Sequence, residues 1–450
     1  MTDFATQDLA QWCNETMAAP LPPKVAHQAN RCILDVVACA SAGQDAPAVT
    51  ACLKAAQSLY AAGSASVWFR GMSLGPVAAG MVNATAAMVL DMDDGNRQAM
   101  GHPGAGVVPA VLALAETLGA DWCAIQKAIV IGYEVAVRVG RAEQRPSYHS
   151  ANYTSFGVTA AAACLMGLSQ DQIAHALGIC AYYGPRVSDL TLSCEMGSDV
   201  KESLPWSVVV GISAGELAGK GFLGNRDALD IEERFNRDAM LQGLGQTHLI
   251  LNTYFKRYSC CRWMHASVEG LLSIMSDLAL THDQIERVEV QTFTQAASLN
   301  NRHEPDTLID AQFSVPYAMA IAAVQGESCL MPMTARVLHH QATEAFAKKV
   351  SLHVSDAMND AFPAKTPSRV TVISALGTFA AQVDAPWGEP VHAPTDEELI
   401  DKFLVVGGSI LSPQITKELS GRILSGAEPA ETLGLLRSRP DASKMSQGMV

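Results

Sequence analysis

The segment from Asp91 to Gly104 reads DMDDGNRQAMGHPG and places three carboxylates, Arg97 and His102 between two long apolar runs. Such a cluster is costly to bury beside core helices unless its charges are compensated. One reading is a solvated loop whose Asp residues cap a helix. The other is a site for an anion. His102-Pro103 ahead of a glycine-flanked helix start favours the second, because a helix N-terminus attracts negative charge.

Two further segments carry cations into apolar surroundings. Lys201, in MGSDVKESLPW, stands before an apolar helix expected to begin near Val208. It is either a surface lysine paired with Glu202 or Asp199, or an amine whose pKa desolvation lowers toward that of a general base. YFKRYSCCRWMH, from Tyr254 to His265, sets Lys256, Arg257, Arg262 and His265 among aromatic and sulfur side chains. A carboxylate substrate would compensate these cations; cation–π packing and salt bridges at a domain junction are the competing use. Tyr317, at the start of an apolar helix after FSVP, reads on its own as a core tyrosine.

These residues need a scaffold, and the apolar pattern supplies one. From Asp8 to about Leu271 long Ala-rich runs alternate with short Gly or Pro punctuation, the signature of core helices. Val107 to Leu118 predicts one helix, with Pro109 in its first turn; Asp121 to Arg141 predicts another, carrying a Glu134/Arg138 pair at i,i+4. After about Ser276 the character changes. Glu286 to Phe293 alternates as a half-buried strand does, and β-rich segments recur at Val350–Val354 and Arg369–Ile373. Thr395-Asp-Glu-Glu398 is a capping box opening another helix. The expected fold is mainly α: a helical domain over 1–270, an inserted α+β lid over 271–392, a return to the helical domain over 393–440, and a polar tail over 441–450.

Composition narrows the function. A net charge of −14 over 450 residues opposes nonspecific binding to nucleic acid or an anionic membrane. The longest hydrophobic stretch, Val77 to Leu90, is too short to span a bilayer. No secretory leader is visible at the N-terminus, and eleven cysteines without a C-x-x-C spacing read as reduced thiols, so a cytoplasmic location is expected. Nucleotide-binding glycine loops, an H-E-x-x-H helix and a G-x-S-x-G elbow are all missing. His339-His340 and Cys260-Cys261 are adjacent pairs poorly spaced for joint chelation, so neither metal nor cofactor is expected. Acid–base chemistry remains.

Taken in order, Leu34-Asp-Val-Val-Ala-Cys-Ala, the Asp91–Gly104 loop, Gly132-Tyr-Glu-Val, Phe156 to Leu168, Met196-Gly to Lys201, Lys256 to His265 and Phe313 to Tyr317 resemble the MmgE/PrpD family. The resemblance runs through nearly the whole chain. It implies a large all-α domain with a small α+β lid, a homodimer, no cofactor, and a basic site between the domains for a small di- or tricarboxylic acid. Carried over by position, the catalytic residues would be Asp91, His102, Lys201, Lys256 and Tyr317. His102 or a lysine would take the proton alpha to a carboxylate, while the lysines hold carboxylates and stabilise enolate charge. Arg97, Arg262 and His265 would contact substrate, and Tyr148 and His149 compete for a further family histidine position. Gly95 stands where decarboxylase-like members carry threonine.

The resemblance leaves the outcome of the reaction open. A lyase of dehydratase type is the first expectation; an epimerase of an iminodisuccinate-like acid and a decarboxylase are alternatives, and a carboxylate-binding relative without turnover is the non-enzymatic one.

Overall fold

The computed structural model describes residues 4–144, 149–185, 198–426 and 428–438. Among these described residues nine helices come first: α1 (Ala5–Ala18), α2 (Pro23–Gly43), α3 (Pro47–Leu59), α4 (Pro76–Met88), α5 (Gly104–Leu118), α6 (Trp122–Ala142), α7 (Ala151–Leu165), α8 (Gln170–Tyr183) and α9 (Leu204–Gly219). Short antiparallel pairs interrupt them: β1 (Ala65–Val67) with β2 (Met72–Leu74), and β3 (Gly95–Asn96) with β4 (Thr253–Tyr254). The latter pair fastens the acidic loop to the segment that carries Lys256.

Small residues let these helices approach closely. Gly104 and Gly106 were expected to precede α5, yet the helix begins at Gly104, so Pro109 falls in the second turn. Their role is contact: a Cβ on Gly104 would come within 2.4 Å of the Asp94 carboxylate and the Tyr133 hydroxyl, and one on Gly106 within 2.6 Å of Ser207 and Thr154. The α6 expectation holds. Asp121 caps it by accepting from Ala124 N at 2.7 Å, and Glu134 and Arg138 form a buried pair at 3.2 Å. The stretch from Val77 to Leu90 lies mostly in α4, whose residues from Val82 to Met88 are all buried. Among the described residues no single helix is long and apolar enough to cross a membrane.

The second half adds α10 (Arg237–Leu241), α11 (His265–Asp277), α12 (Thr294–Ala297), α13 (Leu308–Gln312), α14 (Val315–Val324), α15 (Gln341–Ala347) and α16 (Asp356–Ala361). Apart from α10, which packs against α6 and α1, these accompany a sheet of β5 (Ile285–Thr292), β6 (Val350–Val354), β7 (Ser368–Ser374) and β8 (Gly377–Val383) in the order β6-β5-β7-β8, with only β5 and β6 parallel. The three expected strands are present. β8 escaped notice because it is an edge strand with no fully buried residue, so it lacks the apolar alternation of the others. The sheet core already includes Tyr258, Cys260 and Met264, and α11 runs through position 270, so the change of core precedes that helix.

Finally α17 (Asp396–Gly407), α18 (Pro413–Ser425) and α19 (Pro429–Arg437) place Leu399, Phe403, Leu419, Ile423 and Leu436 in the same core as Ile33 and Val37 of α2. The Thr395 capping box opens α17 as expected. Residues 441–450, read from sequence as a polar tail, lie outside the described residues.

Candidate active site

Three loops converge: the one after α4 (Asp91–Pro103), the one before α9 (Ser198–Ser203), and the chain after β4 (Phe255–Cys261). Their backbones are unusual. Of the eight described non-glycine residues with positive φ, Asp91, Met100, Lys201 and Ser203 lie in the first two of these loops. Left-handed conformations at side-chain-bearing residues cost of order 1–3 kcal/mol each and gather where function over-determines the geometry.

Asp91 sits between two ammonium groups, with Lys201 Nζ at 3.5 Å and Lys256 Nζ at 3.2 Å. Burial alone would raise its pKa, but Lys201, Lys256 and His102 together hold it below the carboxylate range. For Lys256 burial is again the largest influence and would lower its pKa, yet Asp91 and Asp93 outweigh it and raise the value. Asp91 and Asp93 thus favour the ammonium form of Lys256. Lys201 Nζ donates to Gln312 Oε1 at 2.9 Å and to the carbonyls of Met88 and Val89 at 3.0 and 3.4 Å. Lys256 Nζ is fully buried and has no hydrogen-bond partner among the described residues.

His102 has a defined tautomer. Its Nδ1 lies 2.7 Å from the Asp94 carbonyl, which only accepts, so Nδ1 carries the proton and Nε2 is left as the acceptor. Nε2 is 3.6 Å from Glu202 Oε1, and Asp93 Oδ2 is 3.6 Å from Nδ1. Burial and then Lys256 would lower this imidazole's pKa, but Glu202, Asp93 and Asp91 raise it above the ordinary value. Ser150 holds the assembly together. Its hydroxyl accepts from His102 N at 2.9 Å and donates to Glu202 Oε2. Asp94 fixes the loop to the α5 N-terminus by accepting from Gly104 N and the Tyr133 hydroxyl; burial, with Asp35 and Asp93 nearby, pushes its pKa up to about 7.

His102 and Glu202 form the partition between two spaces. The inner one, about 180 Å³, is walled by Met88, Asp91, Asp93, Lys201 and Leu204. The outer one, about 660 Å³ with its mouth, is lined by Arg97 and Arg262 and by Met100, Tyr254, Trp263, Leu299, Phe313 and Phe362, among others. Tyr254 occupies the space beside Gly95, where a Cβ would meet its ring at 2.3 Å.

The arginines are already partnered. Arg262 donates to Glu389 Oε1 at 2.6 Å and to the carbonyls of Trp387 and Pro386 at 2.8 and 3.0 Å. Arg97 binds the same carboxylate and Thr366 Oγ1. Although burial would raise Glu389's pKa, Arg262 and Arg97 lower it, so it stays ionised.

Other expected residues are placed elsewhere. Tyr317 is fully buried in the sheet core, donates to the Val337 carbonyl at 2.6 Å and lines neither space. His265 is buried behind the wall with Nε2 3.2 Å from the Cys260 carbonyl, and burial, then Arg262 and Lys256, keep it neutral. It brackets Arg262 at 3.4 Å and does not line either space. His149 is buried next to Ser150 and lines neither space. Tyr148 lies outside the described residues.

Sequence reasoning missed Glu202 as a partner of His102, Glu389, Gln312, and the Lys402–Asp35 pair. Lys402 Nζ reaches Asp35 Oδ1 at 2.6 Å and the Met92 carbonyl at 3.0 Å, so α17 and α2 hold the acidic loop from below. The available signal for this pair was a charge beside or inside an apolar run, Asp35 in ILDVV and Lys402 in DKFLVV. Asp91, His102 and Glu202 also present donor atoms within 4.8 Å of one another, a spacing compatible with a metal ion. Two ammonium groups against Asp91 oppose a divalent cation there.

Comparison with known proteins covers most of the chain. The profile of the MmgE/PrpD N-terminal domain matches residues 7–244, and that of the MmgE/PrpD C-terminal domain matches residues 258–421. A cis-aconitate decarboxylase of Aspergillus terreus (strain NIH 2624 / FGSC A1156) is 24% identical over 459 residues, covering 93% of this chain and 92% of its own. The cis-aconitate decarboxylase-like protein oryM of Aspergillus oryzae is 23% identical, covering 96% and 97%. The human cis-aconitate decarboxylase is 24% identical, covering 83% and 81%.

Proposed function

The chain belongs to the MmgE/PrpD family, and from that premise we propose that it is a lyase in which His102 removes the proton alpha to a carboxylate of a small di- or tricarboxylic acid. The observation that carries this reading is the His102 tautomer: Asp94 O fixes Nδ1–H, and Nε2 stands at the partition between the two spaces. Lys256 and Lys201 supply positive charge for the enolate that forms, in a site where few water molecules screen it. Asp91 orients both ammonium groups. The resemblance adds a homodimer, which sedimentation would test.

A lyase is favoured over an epimerase by the proton acceptors available. An epimerase needs a second group on the opposite face that exchanges roles with the first. Among the described residues, the other titratable groups on the outer wall are ill suited. Burial pushes Cys261 up to about 12 and raises Tyr254 further, so both remain protonated, while Glu202 is committed to Ser150 and His102. From that enolate the lyase expels water, the bond to a β-hydroxyl breaking as the hydroxyl takes a proton; loss of carbon dioxide would instead leave the electron pair on carbon, where a proton donated by the imidazolium of His102 would be needed to close it.

Incubation with citrate, methylcitrate, cis-aconitate and iminodisuccinate in deuterated water tests the proposal. Deuterium exchange accompanied by a new alkene or by carbon dioxide is the expected result. Exchange with inversion and no net loss would establish the epimerase instead. Thermal protection by an acid with neither exchange nor product would leave a carboxylate-binding protein.

A further inference from the structure

The two spaces beside His102 differ in what they offer a ligand. The inner one borders Lys201 and Asp91. In the outer one, every arginine or lysine among the described lining residues is already committed: Arg97 and Arg262 share the Glu389 carboxylate, and Arg262 also satisfies two carbonyls. Glu202 adds a negative group to the same wall. A third carboxylate entering here would lose its hydration without gaining a free cation, an arrangement that costs several kcal/mol per unpaired charge.

Apolar surface takes up the remainder of that wall. Trp263 packs edge-on against Phe362 at 6.0 Å between ring centroids, and Phe362 stacks on Phe293 at 4.5 Å. These contacts hold the aromatic faces rigid. Leu299, Phe313, Met100 and Pro363 extend them. Such a surface rewards hydrocarbon.

We propose that Glu389 acts as a specificity-determining residue: by occupying the arginine pair it excludes additional substrate carboxylates from the outer cavity, and the preferred substrate is a dicarboxylic acid bearing an alkyl or aryl substituent that lies against Trp263 and Phe362. This rests on the proton-abstraction reading above and names the substrate class for it.

The test compares solvent deuterium exchange, as kcat/KM, for citrate and cis-aconitate against malates and succinates substituted with methyl, propyl or pentyl groups. Among the substituted acids kcat/KM should rise by roughly fourfold per methylene, the increment expected for buried hydrocarbon, and the best should exceed both tricarboxylates by at least about tenfold, since each tenfold corresponds to only ~1.4 kcal/mol of discrimination. Trp263→Ala should flatten the dependence on chain length. Glu389→Gln should shift the ratio toward the tricarboxylates by about tenfold or more; a purely structural role for Glu389 would lower all the rates together and leave the ratio unchanged. If that variant does not fold, the wild-type series decides alone. Tricarboxylates turned over better than every substituted dicarboxylate would overturn the substrate class while leaving proton abstraction intact. Exchange with no acid in either series would remove both.

Discussion

Two buried clusters in this protein share a formula, one carboxylate between two cations, and differ in how completely it is satisfied. Glu389 between Arg97 and Arg262 is saturated, with guanidinium donors spread over the carboxylate, Thr366 and backbone carbonyls. Asp91 between Lys201 and Lys256 is not, since Asp91 Oδ2 and Lys256 Nζ meet as an ion pair but lack hydrogen-bond geometry. Buried polar groups are almost always hydrogen-bonded, and the exceptions call for a reason. The reason here is chemical. A saturated cluster fixes the junction between the acidic loop and the segment after β4, whereas under the proposed function an unsaturated one would keep an ammonium group available for charge that appears only during reaction.

The sharpest way to break this comparison is to remove the base next to the unsaturated cluster. His102→Ala should lower kcat by about two to four orders of magnitude, the range expected for a positioned general base. Its melting temperature should stay near that of the wild type, because the loop remains anchored by Asp94 and by Lys402. Unchanged turnover would take His102 out of the mechanism and leave the cluster as architecture.

The lysines come next. Lys256→Met preserves the apolar stem and deletes the charge. If Lys256 stabilises the enolate, kcat should fall by about 10²–10³, as for loss of one preorganised donor. Lys201, held by Gln312 and two carbonyls, is closer to the saturated pattern. Lys201→Met should therefore act more on KM than on kcat. Equal kcat losses in the two variants would erase the distinction between them, and no change in either would misplace the site.

How much of this was legible in the sequence follows from what each residue depends on. Strand β7 and helix α17 follow from local pattern, because burial alternates along β7 and recurs every third or fourth residue in α17. Asp91, His102, Lys201 and Lys256 stood out as charges in apolar sequence and do converge. Tyr317 stood out only through resemblance, and the structure buries it in another core. Glu389 was invisible because its partners are 127 and 292 residues away in the chain, and nothing in WGEPVH distinguishes a buried carboxylate from an exposed one. The Lys201 backbone with φ of 42° was equally hidden, since no glycine marks it.

A smaller effect concerns pH. Because Glu202 and Asp93 raise His102 above the ordinary imidazole value, the acid limb of kcat/KM should lie above about 6.5. Below that pH the imidazole is protonated and cannot accept the substrate proton, so the rate falls as pH falls. Glu202→Gln removes one of the carboxylates that favour the imidazolium and should move the limb to lower pH, with a lower plateau if Ser150 loses its anchor. A limb that stays in place would assign the titration to another group, and Asp94 at about 7 is then the one to replace.

The smallest expected effect is none at all. Asp91, His102 and Glu202 bring donor atoms together in a way that a divalent ion could use, and this is the observation most opposed to the contrast drawn between the two clusters. A cation there would stand beside two ammonium groups already within 3.5 Å of Asp91. At about 4 Å each unit-charge repulsion amounts to ~4 kcal/mol even with an effective dielectric of 20. It would also require His102 to surrender Nε2, the atom assigned to proton abstraction. Exhaustive chelation followed by assay in metal-free buffer should therefore leave kcat and KM unchanged. A loss restored by one particular divalent ion would mean that the lysines move aside for it, that Asp91 is a ligand, and that the apparent lack of satisfaction at Lys256 marks a metal site and not an enolate site.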